Sequence, residues 1–193
     1  METEELSQRL RALRRVTDEE LRTQWDRSLP FADALFDRWE RARSLGFADG
    51  VSIYDSACVF GEVEVGQSTW IGPYVILDGS GGGIRIGAHC SISSGVHLFT
   101  HDTVEWALSG GLRPRRTGRV SVGDCTYIGS QTVVIADVRI GDHCVVGANS
   151  FVNRDVEPRS VVAGSPIRVV GRVEGSGNDV RIVHCSPKDR MGP

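Results

Sequence analysis

Between Val63 and Val152 aliphatic residues recur with a period of six. They fall at Val65, Ile71 and Leu77, then at Ile86, Ile92 and Leu98. After a break they resume at Val122, Ile128 and Val134, and continue at Ile140, Val146 and Val152. A period of six rules out an α-helix here, because it sets successive aliphatics about 240° apart on a 3.6-residue turn. Short strands joined by tight corners accommodate it, each aliphatic pointing inward and its neighbours outward. A larger unit sits above the hexapeptide. The pattern aliphatic-x-aliphatic-Gly opens at Val63, Ile84, Val120 and Val138. The last two openings are 18 residues apart, the first two 18 plus 3 and the middle two 18 plus 18. One coil is therefore three hexapeptides, with a three-residue insertion after the first coil and a long loop after the second. No single coil can bury its apolar face, so the coils must stack into a parallel β-helix.

The spacing also predicts the corners. Thr69, Val75, Cys90, Val96, Thr126, Thr132, Cys144 and Ser150 each lie four places after an aliphatic and should fill the corner from inside. Seven of the twelve aliphatics are followed directly by Gly, which would let the backbone turn or approach the next strand closely. The run Asp78-Gly79-Ser80-Gly81-Gly82-Gly83 supplies the three-residue insertion and reads as a tight corner turn. No helix and no Lys-Ser/Thr follows it, so it is no phosphate loop.

Residues 1–48 read as an N-terminal helical cap, residues 49–171 as the β-helix and residues 172–193 as a mobile or loosely docked tail. Leu6, Leu10 and Leu13 form a helical stripe, and Thr17-x-x-Glu20 has the form of a capping box restarting a helix through Leu21, Trp25 and Leu29. Pro30 should end that helix or open a third, carrying Phe31, Leu35 and Trp39. Two or three such helices would cover the open first coil, whose unpaired strand edges need capping. A short strand is expected at Val180–Val183 in the tail.

With 193 residues, a net charge of −3 and a pI near 6.0, the chain has no basic surplus to suggest nucleic-acid or anionic-membrane partners. It shows neither an 18-residue apolar run nor a signal-peptide core, and a cytoplasmic location is expected. Its five cysteines, odd in number and without CxxC spacing, argue against a disulfide framework. Cys90 and Cys144, at corner positions, should be buried free thiols.

The long break, about 100–119, reads THDTVEWALSGGLRPRRTGR between two intact coils, so it must project outward from a corner. A loop of this length without its own repeat is usually functional or disordered. It carries His101 and Asp102, Trp106, three glycines and Arg113, Arg115, Arg116 and Arg119.

In these residues the chain resembles the hexapeptide-repeat acyltransferases, whose fold is a left-handed parallel β-helix. The likeness covers about residues 50–171. It rests on the sixfold repeat, the loop after the third hexapeptide of a coil, the Thr100-His101-Asp102 sequence at its root, and the ending Ala163-Gly164-Ser165-Pro166-Ile167-Arg168. That ending is similar to the family's Gly-Asn-Pro-Ala-Lys run, with Ser165 for Asn and Arg168 for Lys. The handedness comes from the resemblance alone. The resemblance implies acetyl-CoA as co-substrate, no metal, and a homotrimer in which donor and acceptor meet between adjacent β-helices. The subgroup with this loop suggests a sugar or nucleotide-sugar acceptor, acetylated on a hydroxyl or amine in surface-polysaccharide pathways.

Such a transfer needs a base to take the acceptor's proton as it attacks the thioester, and histidine titrates near working pH. His101 matches the family's catalytic histidine, with Asp102 next to it as a candidate to orient the ring, although a carboxylate from elsewhere would serve. His97, expected to face outward near the same corner, is the rival base and a candidate acceptor contact. Ser130 and Ala148 lie where the family binds CoA through stacked corners, and Arg168 matches its basic position near the CoA phosphates. Trp106 could stack on a sugar or adenine ring or anchor the loop to a neighbour. Arg115 and Arg116, with Arg113 and Arg119, could hold an anionic acceptor. His89 and His143 occupy equivalent outward positions in two coils, read as solvated or interfacial. Two other functions share the fold: a γ-carbonic-anhydrase-like hydratase, which needs three histidines converging on a metal, and a non-catalytic scaffold.

Overall fold

A computed structural model of the chain describes residues 2–185. The far end of the expected tail, 186–193, lies outside the described residues. The hexapeptides stack as parallel strands on three faces. On the first face Ile53, Ile71, Ile92, Ile128, Val146 and Val162 lie in register. Val59, Leu77, Leu98, Val134 and Val152 form the second. Val65, Ile86, Val122 and Ile140 form the third, and a bridge carries it on to Val156. None of the twelve aliphatics of the repeat is more than 5% exposed. At roughly 1.5–3 kcal/mol per buried aliphatic side chain, this column supplies the stability that single short strands lack.

The eight corner residues are buried as expected, none beyond 3%. Their hydroxyls and thiols bond across coils. Thr69 Oγ1 donates to Gly87 O at 2.8 Å and accepts from the Cys90 N–H at 3.0 Å. Thr126 repeats this with Gly141 O and the Cys144 N–H, at 3.0 and 3.1 Å. The Sγ atoms of Cys90 and Cys144 lie 3.1 Å from Gly123 O and Glu157 O. Small polar side chains at this corner thus satisfy carbonyls that the turn leaves unpaired.

The glycines of the repeat act by close approach and not by turning. A Cβ on Gly66 would lie 2.7 Å from Ala88 N, and one on Gly129 would lie 2.5 Å from Ala148 N. The left-handed residue of each turn comes two places later and is not glycine: Ser68, His89, Cys125 and His143 have φ of 55–57°. Stacked neighbours hold them there, as in the bond from the His143 N–H to Asp124 O at 2.8 Å.

The Asp78–Gly83 insertion is not a tight turn. The strand Ile76–Ile86 runs straight through it, joining the second and third faces. Its glycines admit the crossing of other backbone, since a Cβ on Gly79 would lie 2.1 Å from Glu62 O.

The helical segment differs from expectation in two ways. Helix α1 (Glu2–Trp25) is unbroken at Thr17. The Thr17 hydroxyl bonds back to Leu13 O and Arg14 O at 3.2 and 3.0 Å, so it cannot cap a new start. Nor does α1 lie on the coil, for Leu6, Leu10 and Leu13 are 40–56% exposed. Capping falls to α2 (Phe31–Leu35) and α3 (Arg38–Ser44). Asp37 starts α3 by accepting from the N–H groups of Trp39 and Glu40 at 2.9 and 2.7 Å. From α3, Ala42 is buried over the coil and Arg41 donates to the carbonyls of Tyr54 and Ala57.

The described part of the tail is docked. Strand Arg168–Glu174 runs antiparallel to Ser160–Ala163 and pairs in turn with Arg181–His184, which realises the expected short strand. No helix among the described residues is long and apolar enough to cross a membrane.

Candidate active site

The insertion of one coil and the long loop of the next leave from the same corner, between the second and third faces. There they are bonded together. The Thr100 N–H donates to Asp78 O at 3.1 Å, the Gly81 N–H to Thr100 Oγ1 at 2.8 Å, and the Gly118 N–H to Thr100 O at 2.9 Å. Thr100, 0% exposed, is thus the pin of the loop's root. The loop itself is a short hairpin, His101–Asp102 pairing antiparallel with Arg116–Thr117, and helix α4 (Val104–Leu108) lies at its outer end.

This corner sets the surroundings of His101. Its Nδ1 lies 3.6 Å from Asp78 Oδ2 and 3.4 Å from Ser80 Oγ. Ser80 Oγ donates to Asp78 Oδ1 at 2.7 Å, which fixes the carboxylate. Gly81 makes room, since a Cβ there would lie 2.7 Å from the His101 Cβ. The imidazole and the Asp78 carboxylate are 22% and 16% exposed, enough to admit a substrate and little enough to limit screening. With Nδ1 facing a carboxylate, its proton belongs on that nitrogen, and Nε2 keeps the lone pair.

Asp102 does not take the orienting position. Its Oδ1 accepts from the Val104 N–H at 3.0 Å and so starts α4. Adjacent residues of an extended strand point to opposite sides, so the carboxylate for the ring comes from the coil before. Asp78 and Ser80 are the residues beside the ring that sequence reasoning missed. Their signal was the insertion itself, which falls at the same place in its coil as the loop does in the next.

His97 faces outward on the second face, its ring edge-on to Phe99 with centroids 5.7 Å apart. Arg115 donates to Ser80 O at 3.2 Å, tying the loop back over the insertion. Arg119 reaches Gly82 O at 3.3 Å, and Arg113 pairs with Glu105 at 3.2 Å. Arg116 is exposed opposite Asp102. Trp106 is 52% exposed on α4, and beside it Leu108 and Leu112 are 84% and 89% exposed.

Ser130 and Ala148 meet on consecutive coils, the Asn149 N–H donating to Ser130 O at 2.9 Å. Ala163 continues the column, since a Cβ on Gly147 would lie 2.9 Å from its own Cβ. Arg168 is exposed just beyond. This strip, however, runs along the corner between the first and second faces. Within one chain the whole second face separates it from His101. Among the described residues no three His, Cys, Asp or Glu side chains converge as a metal site. His89 and His143 sit on one corner with Cys125 in the coil between them.

Residues 119–154 match the family described as bacterial transferase hexapeptide (six repeats). A chloramphenicol acetyltransferase from Morganella morganii is 31% identical over 103 residues, 44% of this chain and 49% of its own length. The chain spans about half the length of the curated relatives it matches. Among solved structures, a hexapeptide-repeat-containing acetyltransferase from Vibrio cholerae O1 biovar eltor, complexed with acetyl coenzyme A, superposes with a TM-score of 0.58. It is 27% identical, over 86% of this chain and 89% of that one. A single-residue mutant of AntD, an N-acyltransferase from Bacillus cereus, in complex with dTDP and coenzyme A, superposes at 0.57 over 69% of this chain and 88% of that one. Its identity of 23% speaks for the fold alone.

Proposed function

We propose that the chain is an acyltransferase that moves an acetyl group from acetyl-CoA to a hydroxyl or amine of a sugar or nucleotide-sugar. The observation that carries this reading is the His101 corner: a partly buried imidazole with a carboxylate 3.6 Å from Nδ1 and Nε2 left to accept a proton. His101 Nε2 takes the acceptor's proton as the acceptor attacks the thioester carbonyl. Asp78 holds the ring and stabilises the imidazolium that forms, and Ser80 holds Asp78. Collapse of the tetrahedral intermediate expels the CoA thiolate, and the imidazolium returns the proton to it. General-base assistance of this kind is typically worth about 10²–10⁴-fold. Backbone N–H groups of the loop or a neighbouring coil would stabilise the oxyanion.

The donor reading rests on the complexes with acetyl coenzyme A and with coenzyme A among the similar structures. The chain's own strip of Ser130, Ala148 and Ala163 offers small side chains along a corner, and Arg168 at its end can grip phosphate in bidentate fashion. The dTDP in AntD is in keeping with a nucleotide-sugar acceptor, for which Arg115 and Arg116 would supply positive charge and Trp106 a ring to stack on.

Base and strip occupy different corners, so a productive site needs a second chain, and a homotrimer supplies one. The outer faces support this arrangement. The third face presents Glu64, Arg85, Ser121 and Arg139 in register, a surface suited to water. The second presents Ile76, His97, Val133 and Phe151, a surface suited to a neighbour. The bare Leu108 and Leu112 of the loop would rest on that neighbour as well.

Acceptor-dependent thiol release from acetyl-CoA tests the reading, with amino- and hydroxyl-bearing sugars, free and nucleotide-linked. Release should require one acceptor class and fall at least about a hundredfold in His101→Ala. Release that the substitution leaves unchanged would move the base elsewhere, and no release with any acceptor would favour a scaffold.

A further inference from the structure

The arginines around the His101 corner are held in different ways. Arg85 faces Glu64 at 3.7 Å and Arg113 faces Glu105 at 3.2 Å, so each has a carboxylate to answer its charge. Arg116 is exposed opposite Asp102 and makes no bond to the Asp78–Gly83 insertion among the described residues. Arg115 and Arg119 are bonded to backbone instead. Arg115 Nη2 donates to Ser80 O at 3.2 Å, and Arg119 Nε donates to Gly82 O at 3.3 Å. Among the described residues neither forms an ion pair, although Glu62 and Arg119 both come up against Gly83, 3.5 and 3.7 Å from where its Cβ would be.

Ser80 and Gly82 are alternate residues of the strand Ile76–Ile86, so their carbonyls point to one side, about 7 Å apart. The strand therefore tethers two exposed guanidinium groups side by side. Each spends one N–H on its carbonyl and keeps the other donors of its fork. A single carboxylate or phosphate needs only one such fork, whereas a diphosphate offers oxygens to both. The near end of the pair is at the base: Ser80 Oγ lies 3.4 Å from His101 Nδ1.

We propose that Arg115 and Arg119 clamp a diphosphate group carried by the acceptor, whose sugar reaches back from the clamp to His101. The clamp presupposes the transferase reading of this corner and places Arg119, not Arg116, beside Arg115. Coenzyme A also carries a diphosphate, but the strip that would receive it runs along another corner of the chain and ends at its own arginine, Arg168. Isothermal titration calorimetry on the full chain separates the two sources. The probes are dTDP and UDP, thymidine and uridine as their phosphate-free counterparts, and coenzyme A. Arg115→Gln and Arg119→Gln should each weaken nucleoside diphosphate binding about tenfold or more, while Arg116→Gln leaves it unchanged and all three leave coenzyme A binding unchanged. All three side chains are exposed, so the fold should tolerate their loss, with circular dichroism as the check. No binding of either diphosphate, a nucleoside that binds as tightly as its diphosphate, affinity that survives either Arg115→Gln or Arg119→Gln, or a loss confined to coenzyme A would overturn the proposal. Thiol release reads the transferase separately. Release with a free sugar beside any of those results would leave the transferase standing and the clamp refuted. Arginine-dependent diphosphate binding without release from any acceptor would refute the transferase, and with it the acceptor role, while the diphosphate site remained.

Discussion

The imidazole of His101 has two aspartates within reach in the sequence sense, and only one in space. Asp78 shares its corner, and Asp102 starts a helix. We expect Asp78→Asn to lower kcat/KM about tenfold or more, with Asp102→Asn acting mainly through loop order. Steady-state kinetics across pH would separate them; an equal loss in both would not fit. The histidine was legible because it stands where the repeat breaks. The aspartate was not, because it lies 23 positions before His101 and only the stacking of two coils brings them together. The thiols give a second expectation. Burial pushes the pKa values of Cys90 and Cys144 up, with the nearby Asp124 and Asp142 carboxylates adding to it. A raised folded-state thiol pKa contributes stability below the ordinary cysteine value of about 8.5 and loses it as pH rises towards the folded value. Below that range, labelling with a thiol reagent should reach the exposed Cys58 and Cys125 first and leave Cys90 and Cys144 untouched until unfolding. Early labelling of either buried thiol would contradict the corner assignment.

Each element of the β-helix was readable where a short-range pattern decides it, and less so where two elements meet. The period of six gave strands, faces and corners. It could not show that Asp78–Gly83 stays extended, because a glycine run carries no inward or outward pattern of its own. Its course is set by the crossings of Glu62 and Thr100. That yields a test. A Cβ on Gly81 would lie 2.3 Å from Thr100 O, so Gly81→Ala should cost about 1–3 kcal/mol by thermal or urea unfolding and displace the root of the loop. A neutral effect would mean that the insertion is looser than described. The helical segment misled for a similar reason. Ser/Thr-x-x-Glu is a start signal only when the chain enters from outside a helix, and at Thr17 it is already helical, so the hydroxyl turns back to Leu13 and Arg14.

In the whole molecule, one column of aliphatics carries the fold, and the proposed chemistry falls at its corners. Ile128 is 0% exposed at mid-column, paired with Ile92 and Val146. A charge there has no partner, and Ile128→Asp should cost more than about 4 kcal/mol. Loss of soluble folded protein, read by circular dichroism and light scattering, is the expected outcome; soluble, folded protein carrying the substitution would refute the inside–outside assignment. We propose that the base of one chain works with the donor strip of another. Subunit complementation tests it directly. Chains carrying His101→Ala would be co-expressed with chains carrying Ala148→Trp, a bulky block in the strip, and each would be inactive alone. If the site lies between chains of a closed ring, random assortment should restore roughly a quarter of wild-type thiol release, because a quarter of the interfaces pair an intact base with an intact strip. Mixed assemblies that form but stay inactive would contradict the claim.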